Sequence, residues 1–211
     1  MTYSELQSAI ADWLQRSDLT SIIPTWIRFA TSGFNRDLRV RYMESRDSSS
    51  LTAEYSALPG DVLEVIAVSD DDGNRLRYLD RQQFAALVED GAQPSPAVFT
   101  VEDWQLRVLP APSVSDPLDV TILYYEQIPA LVAAADTNWL LTDYPDLYLY
   151  GSLIHARAWL HDDQRLVLVK QMYDSALAEL KRHKWAATGI ATVMQTDVPS
   201  QHSSFDITRG Y

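Results

Sequence analysis

Carboxylates are the most abundant reactive groups in this chain. Asp and Glu number 29, against 17 Lys and Arg, 4 His and no Cys. Paired carboxylates are the raw material of general acid–base catalysis. Glu5, Asp12 and Asp18 near the start, or Asp143 with Asp146, are candidates by position. Helix N-termini favour acids for electrostatic reasons alone, so such carboxylates do not by themselves indicate catalysis. Asp70-Asp71-Asp72-Gly73-Asn74 carries the acids of part of a calcium loop. It lacks the spacing and distal glutamate of an EF-hand, so it predicts a solvated hairpin turn. His161-Asp162-Asp163 has metal-ligating side chains but falls at a predicted helix end, where polar residues belong anyway. His155 and His161 are six apart and share no helix face. Without cysteine there is no thiolate metal site and no disulfide framework. The glycine-rich phosphate loops, the H-E-x-x-H helix and the G-x-S-x-G elbow are all missing from the sequence. The expectation is a protein with no catalytic set, no cofactor and no metal.

The element around which the rest is arranged is Asn138 to Leu160, NWLLTDYPDLYLYGSLIHARAWL. It predicts one helix beginning near Thr142 or Asp143, with Pro145 in the first turn, where a missing N–H costs nothing. Leu147, Tyr150, Ile154 and Ala158 recur on one face, and Leu149, Leu153, Ala156 and Leu160 roughly opposite. A helix apolar on two faces is buried on both. Gly151 lowers its helix propensity and allows another backbone to approach. Tyr144, Tyr148 and Tyr150 could reach a partner surface, although aromatics at helical spacing are more often core.

Upstream, Thr2 and Glu5 have capping-box spacing, and Leu6, Ile10, Trp13 and Leu14 line one face of a first helix. A second begins near Thr20 or Ser21, with Ile23, Ile27, Ala30, Phe34 and Leu38 as its stripe and Arg28, Ser32, Asn35, Arg36 and Arg39 facing away. After Val40 the period shortens. Residues 41–46, 50–55, 62–69, 75–79, 98–101, 105–109 and 120–125 favour strands, the third and fourth joined by the acidic turn. Asp80 with Gln83 can cap a short helix, and Ile128 to Asp136 is an irregular connector. Beyond Asp162-Asp163, Leu166, Val169, Tyr173, Leu177 and Leu180 form a last stripe, ending in the basic run Lys181 to Lys184 that suits a helix C-terminus. From Ala187 on, periodicity disappears.

These patterns predict an α+β fold: a helical bundle from two N-terminal and two C-terminal helices, a β-rich insertion and an extended tail. The divisions are a helical hairpin over 1–40, the insertion over 41–137, a second hairpin over 138–185 and an arm over 186–211. The net charge of -12 disfavours bulk attraction to nucleic acid. No apolar run approaches the ~20 residues of a membrane span, so no membrane partner is expected. MTYSELQSAIADW has neither a basic nor an apolar region of the kind a signal peptide needs.

Three stretches carry a resemblance: IADWLQRSDLTSIIPTWIRFA with FNRDLRVRYME; ALPGDVLEV with LRYLDRQQF; and YYEQIPAL with NWLLTDYPDLYLYGSL. Together they resemble the head-to-tail adaptor, or connector, proteins of tailed bacteriophages, especially those of short-tailed phages. The likeness runs from Met1 to about Trp185. Thr31-Ser32-Gly33 departs from it, where a better helix former would be expected, and nothing after Trp185 matches. The resemblance implies a non-enzymatic virion protein at the head–tail junction, assembled in the host cytoplasm. It also implies a homo-oligomeric ring of about a dozen copies under the portal protein, extending the DNA channel and presenting a platform for tail, nozzle or fibre proteins. The genome would pass without specific binding. Arg36, Arg39 and Arg41, off the apolar stripe of an acidic chain, are candidates for subunit or portal contacts. Phe205, Ile207 and Tyr211 are candidate anchors of the tail on a partner. The alternative is a tail-associated cell-wall hydrolase working through a carboxylate pair.

Overall fold

The computed structural model describes residues 1–160 and 163–186. Helix α1 (Tyr3–Leu14) opens with the expected capping box: Thr2 N–H donates to Glu5 Oε2 at 2.8 Å, and Glu5 N–H donates to Thr2 Oγ1 at 3.3 Å. Helix α2 (Ile23–Asp37) has Pro24 in its first turn and buries the predicted stripe through Phe34, with Leu38 buried just beyond. A 3₁₀ turn, Arg41–Met43, leads into the strands β1 (Glu44–Leu51), β2 (Tyr55–Ala57), β3 (Val62–Asp70) and β4 (Arg77–Tyr78). Helix α3 (Arg81–Glu89) follows, then β5 (Val98–Glu102), β6 (Gln105–Leu109) and β7 (Leu118–Glu126). The chain returns through α4 (Trp139–Asp143), α5 (Pro145–Trp159) and α6 (Asp163–Ala186).

The class is α+β, but the helices are not a bundle of two N-terminal and two C-terminal members. Six helices are present among the described residues, and α3 lies within the β region. The stretch read as one helix is two. Asn138 caps α4 by accepting the Leu141 N–H at 2.9 Å, and the chain breaks at Tyr144 (φ -132, ψ 59). Proline disfavours helical geometry in the residue before it, so Pro145 starts a new helix and ends the old one. Helix α5 packs against α1, α2, α4 and α6. Only its exposed Ala158 departs from the two-faced pattern.

The strands form two sheets. One is antiparallel in the order β1-β7-β3; the other runs β2-β6-β5-β4, with β4 parallel to β5. Leu51, Val68, Phe99, Val108, Ile122 and their neighbours pack together as one core of buried residues drawn from both sheets. Here too the sequence expectations needed correction. Residues 41–43 are 3₁₀, not strand, and the expected strand over 50–55 is the end of β1 and the start of β2, in different sheets. The acidic turn is as predicted: Gly73 takes φ 82, and the Asp70 carboxylate accepts from Asn74 N–H at 2.7 Å and Asn74 Nδ2 at 3.1 Å. Beyond it the chain stays on β3 only through a Ser69–Arg75 bridge and the Leu76 N–H, which donates to Val68 O at 2.9 Å. Burial of Leu76 then carries β4 to the second sheet.

Charge is divided unequally between the two halves. Residues 44–126 hold 16 acidic and 5 basic side chains, so nearly the whole net charge of -12 lies in the β-rich part. The chain passes between helices and sheets at residues 41–44 and 126–128, and Glu44 lies opposite Tyr125 in the β1–β7 ladder.

Candidate partner interface

Two of the predicted reactive groups, Glu5 and Asp18, are engaged in local structure. Glu5 closes the α1 capping box. Asp18 receives a two-pronged bond from Arg16 at 2.6 Å, which holds its carboxyl below the usual carboxylate range. Asp143 and Asp146 are exposed on either side of the α4–α5 break. Among the described residues no three His, Asp or Glu side chains gather closely enough to hold a metal ion. His161 and Asp162 lie outside the described residues.

Aromatic side chains mark the outer surface of the helical part. Antiparallel packing of α2 on α5 sets Trp26 against Trp159 (5.9 Å between rings) and Phe29 edge-on to His155 (5.6 Å), while Trp13 of α1 meets Tyr150 at 6.0 Å. Phe29 and Trp159 are each 52% exposed and Trp13 44%. Large aromatics that expose half their surface beside ordered neighbours are typical of partner contacts. The periodic pattern places Trp13 in the core; the structure instead leaves it at the rim. Of the tyrosines considered for a partner surface, Tyr148 is completely buried. Its hydroxyl accepts from Asn138 Nδ2 at 3.0 Å, and Asn138 also donates to Pro129 O at 2.8 Å. Burial pushes the Tyr148 phenol up.

The three arginines do not share one task. Arg39 donates to Glu64 of β3 at 3.0 Å and to the carbonyls of Asn35 and Leu38 at 2.8 and 2.6 Å, tying the end of α2 to the sheet. Arg36 is exposed and near enough to His155 that, second to burial, it pushes the imidazole pKa down. Arg41 is exposed in the 3₁₀ turn. Phe205, Ile207 and Tyr211 lie outside the described residues.

In the β-rich part, Arg107 was not singled out by sequence. Its guanidinium lies 4.9 Å from both the Tyr55 and Phe84 rings and pairs with Glu54 at 2.6 Å. It thereby joins β2 and α3 through one cation–π and ion-pair centre. The only sequence signal is an arginine flanked by apolar residues, Leu106 and Val108, in the strand QLRVL. Between α2 and the 126–132 connector lies a cleft of about 500 Å³. Asn35 spans it, its Oδ1 accepting the Ile128 N–H at 3.0 Å.

An α+β chain with a helical part, an acidic pair of sheets and exposed aromatic faces has the surface of a structural binding protein. A family model described as SU10 adaptor protein matches residues 1–196, and the chain belongs to that family of phage head–tail adaptors. No curated protein matches it. Membership makes it a structural protein of the virion, placed at the head–tail junction and associated with portal and tail components.

Proposed function

We propose that copies of this chain form a ring of about a dozen beneath the portal, extending the DNA channel and presenting a platform to tail, nozzle or fibre proteins. Assembly takes place in the host cytoplasm, and the protein acts by binding, without catalysis. The division of the chain at 40/41, 137/138 and 185/186 belongs to the same reading: helices for docking, sheets as a separate charged module and a C-terminal arm.

The observation that carries this reading is the segregation of charge. Sixteen acids against five bases in residues 44–126 give the β-rich module a field that repels phosphate, and a wall of that sign lets a genome slide without being held. The near-neutral helical part, with its half-exposed aromatics, suits lasting contacts. Arg36 and Arg41 lie on that part and contact acidic partner surfaces; Phe205, Ile207 and Tyr211 anchor the arm.

The test is addition of purified protein to DNA-filled, portal-bearing heads, followed by electron microscopy. Rings at the portal vertex are expected. A chain truncated after Trp185 is expected to keep its melting transition and lose attachment. Heads that acquire no density at the vertex from the full chain would refute the reading.

A further inference from the structure

One side of the sheet pair is open. There Leu63, Val65 and Ile66 of β3 border, with Tyr78 and Val101 of the other sheet and Trp104 of its β5–β6 turn, a groove of about 470 Å³. Trp104 is 67% exposed and Tyr78 58%, far more than large aromatics with a filled neighbourhood. Strand β3 is also the edge of its sheet, following β7 in the order β1-β7-β3. Its far end is covered, since Leu76 N–H donates to Val68 O and Ser69 bridges Arg75. Among the described residues, no backbone bond reaches the outer edge of 63–67, the run that borders the groove. The β3–β7 ladder shifts register between Val62 and Glu64 and between Val65 and Ala67, which bends β3 beside the groove.

An apolar groove beside an open strand edge fits an added strand, whose main chain bonds to the edge and whose alternate side chains fill the groove. The charge decides which strand. The groove's one charged lining residue among those described is Glu64, held by Arg39 at 3.0 Å, and it sits within the module that carries nearly all the net negative charge. Pairing this edge with the same edge of a second copy would bring two acidic modules together, 16 acids against 5 bases in residues 44–126 of each, and that approach is repelled even where the near-neutral helical parts meet. The chain's own residues 187–211 offer two acids against one arginine. We propose that this groove takes an extended segment of a different protein in which apolar and basic side chains alternate, added to β3 at 63–67. The inference goes beyond the junction role, and a failed titration leaves that role untouched.

The probe is a blocked peptide of about eight residues alternating lysine and valine, titrated into the full chain by calorimetry and followed by amide hydrogen exchange. Saturable binding with slowed exchange confined to 63–67 is the expected result. Peptides alternating glutamate with valine or lysine with serine should bind at least about tenfold more weakly. So should the lysine–valine peptide on Trp104→Ala and Val101→Lys, two changes at exposed positions whose folding is checked by melting. Equal binding of the lysine–serine peptide would reduce the effect to bare charge attraction and overturn the proposal. Protection elsewhere, no binding, or unchanged affinity in both variants would overturn it as well.

Discussion

At residue scale the most constrained position is Gly151. A Cβ built there would lie 3.0 Å from Phe34 Cζ and 3.3 Å from Ala30 Cβ, so α2 and α5 touch through its missing side chain. Gly151→Leu is expected to lose about 1–3 kcal/mol by overpacking, measured as a lower melting temperature; unchanged melting would contradict the contact. Asn138 has three duties: the cap on Leu141, the bond to Tyr148 and the bond to Pro129. Asn138→Ala leaves a buried phenol and a carbonyl without that donor, and about 2 kcal/mol or more should disappear from a denaturant titration. His155 supplies a pH dependence. Burial, then Arg36, lowers its pKa from the ordinary 6.5, so the unfolded chain takes up a proton first as pH falls. Its contribution is complete above about pH 6.5 and is lost as pH falls from there through the depressed folded value. Melting curves between neutral and mildly acid pH should slope less steeply for His155→Gln than for the natural chain.

At the scale of elements, helices with a strong cap or a clean stripe could be read from the sequence. Thr2 and Glu5 mark α1, Asp80 marks α3, and Ile23 to Leu38 marks the buried side of α2. The β5–β6 hairpin was legible from its alternation, although its turn is made by Asp103 and Trp104 at φ 47 and 60, without glycine. What failed were decisions made at a distance. Periodicity cannot see that Tyr144 is forced out of helical geometry by the next residue, nor that Leu51 and Tyr55 belong to different sheets. By period Trp13 belongs to the face of Leu6, Ile10 and Leu14, yet it packs edge-on to Tyr150 at the rim. The candidate interface was less legible still, because exposure of Phe29 or Trp159 depends on which helices leave them uncovered. Asp80 gives a clean test, since its carboxylate accepts the Gln82 and Gln83 N–H groups at 2.9 Å. Asp80→Ala should cost about 1 kcal/mol and speed amide exchange in α3 ahead of the rest.

At the scale of the whole molecule, the helical part and the acidic sheet pair communicate through a narrow seam. Arg39 belongs to that seam, so reversing it should lower stability, whereas reversing the exposed Arg36 should spare melting and impair attachment to portal-bearing heads. Normal attachment by the Arg36→Glu variant would assign that side chain to solvent. The seam also has a mechanical meaning. The chain crosses it twice, and the crossings enter the sheet side by side, at Glu44 and Tyr125 of neighbouring strands. A pull that parts sheets from helices therefore runs lengthwise along β1 and β7 and passes to β3 as shear over the paired run 62–70, loading many bonds at once. Among the described residues, a sideways push meets the line between those crossings, the Arg39–Glu64 bridge, the Ile128–Asn35 bond and the packing of Leu63 and Tyr125 against the helical core. On that geometry the joint is expected to resist tension more than bending, as a strap hinge does, so that its charged module tilts without lengthening.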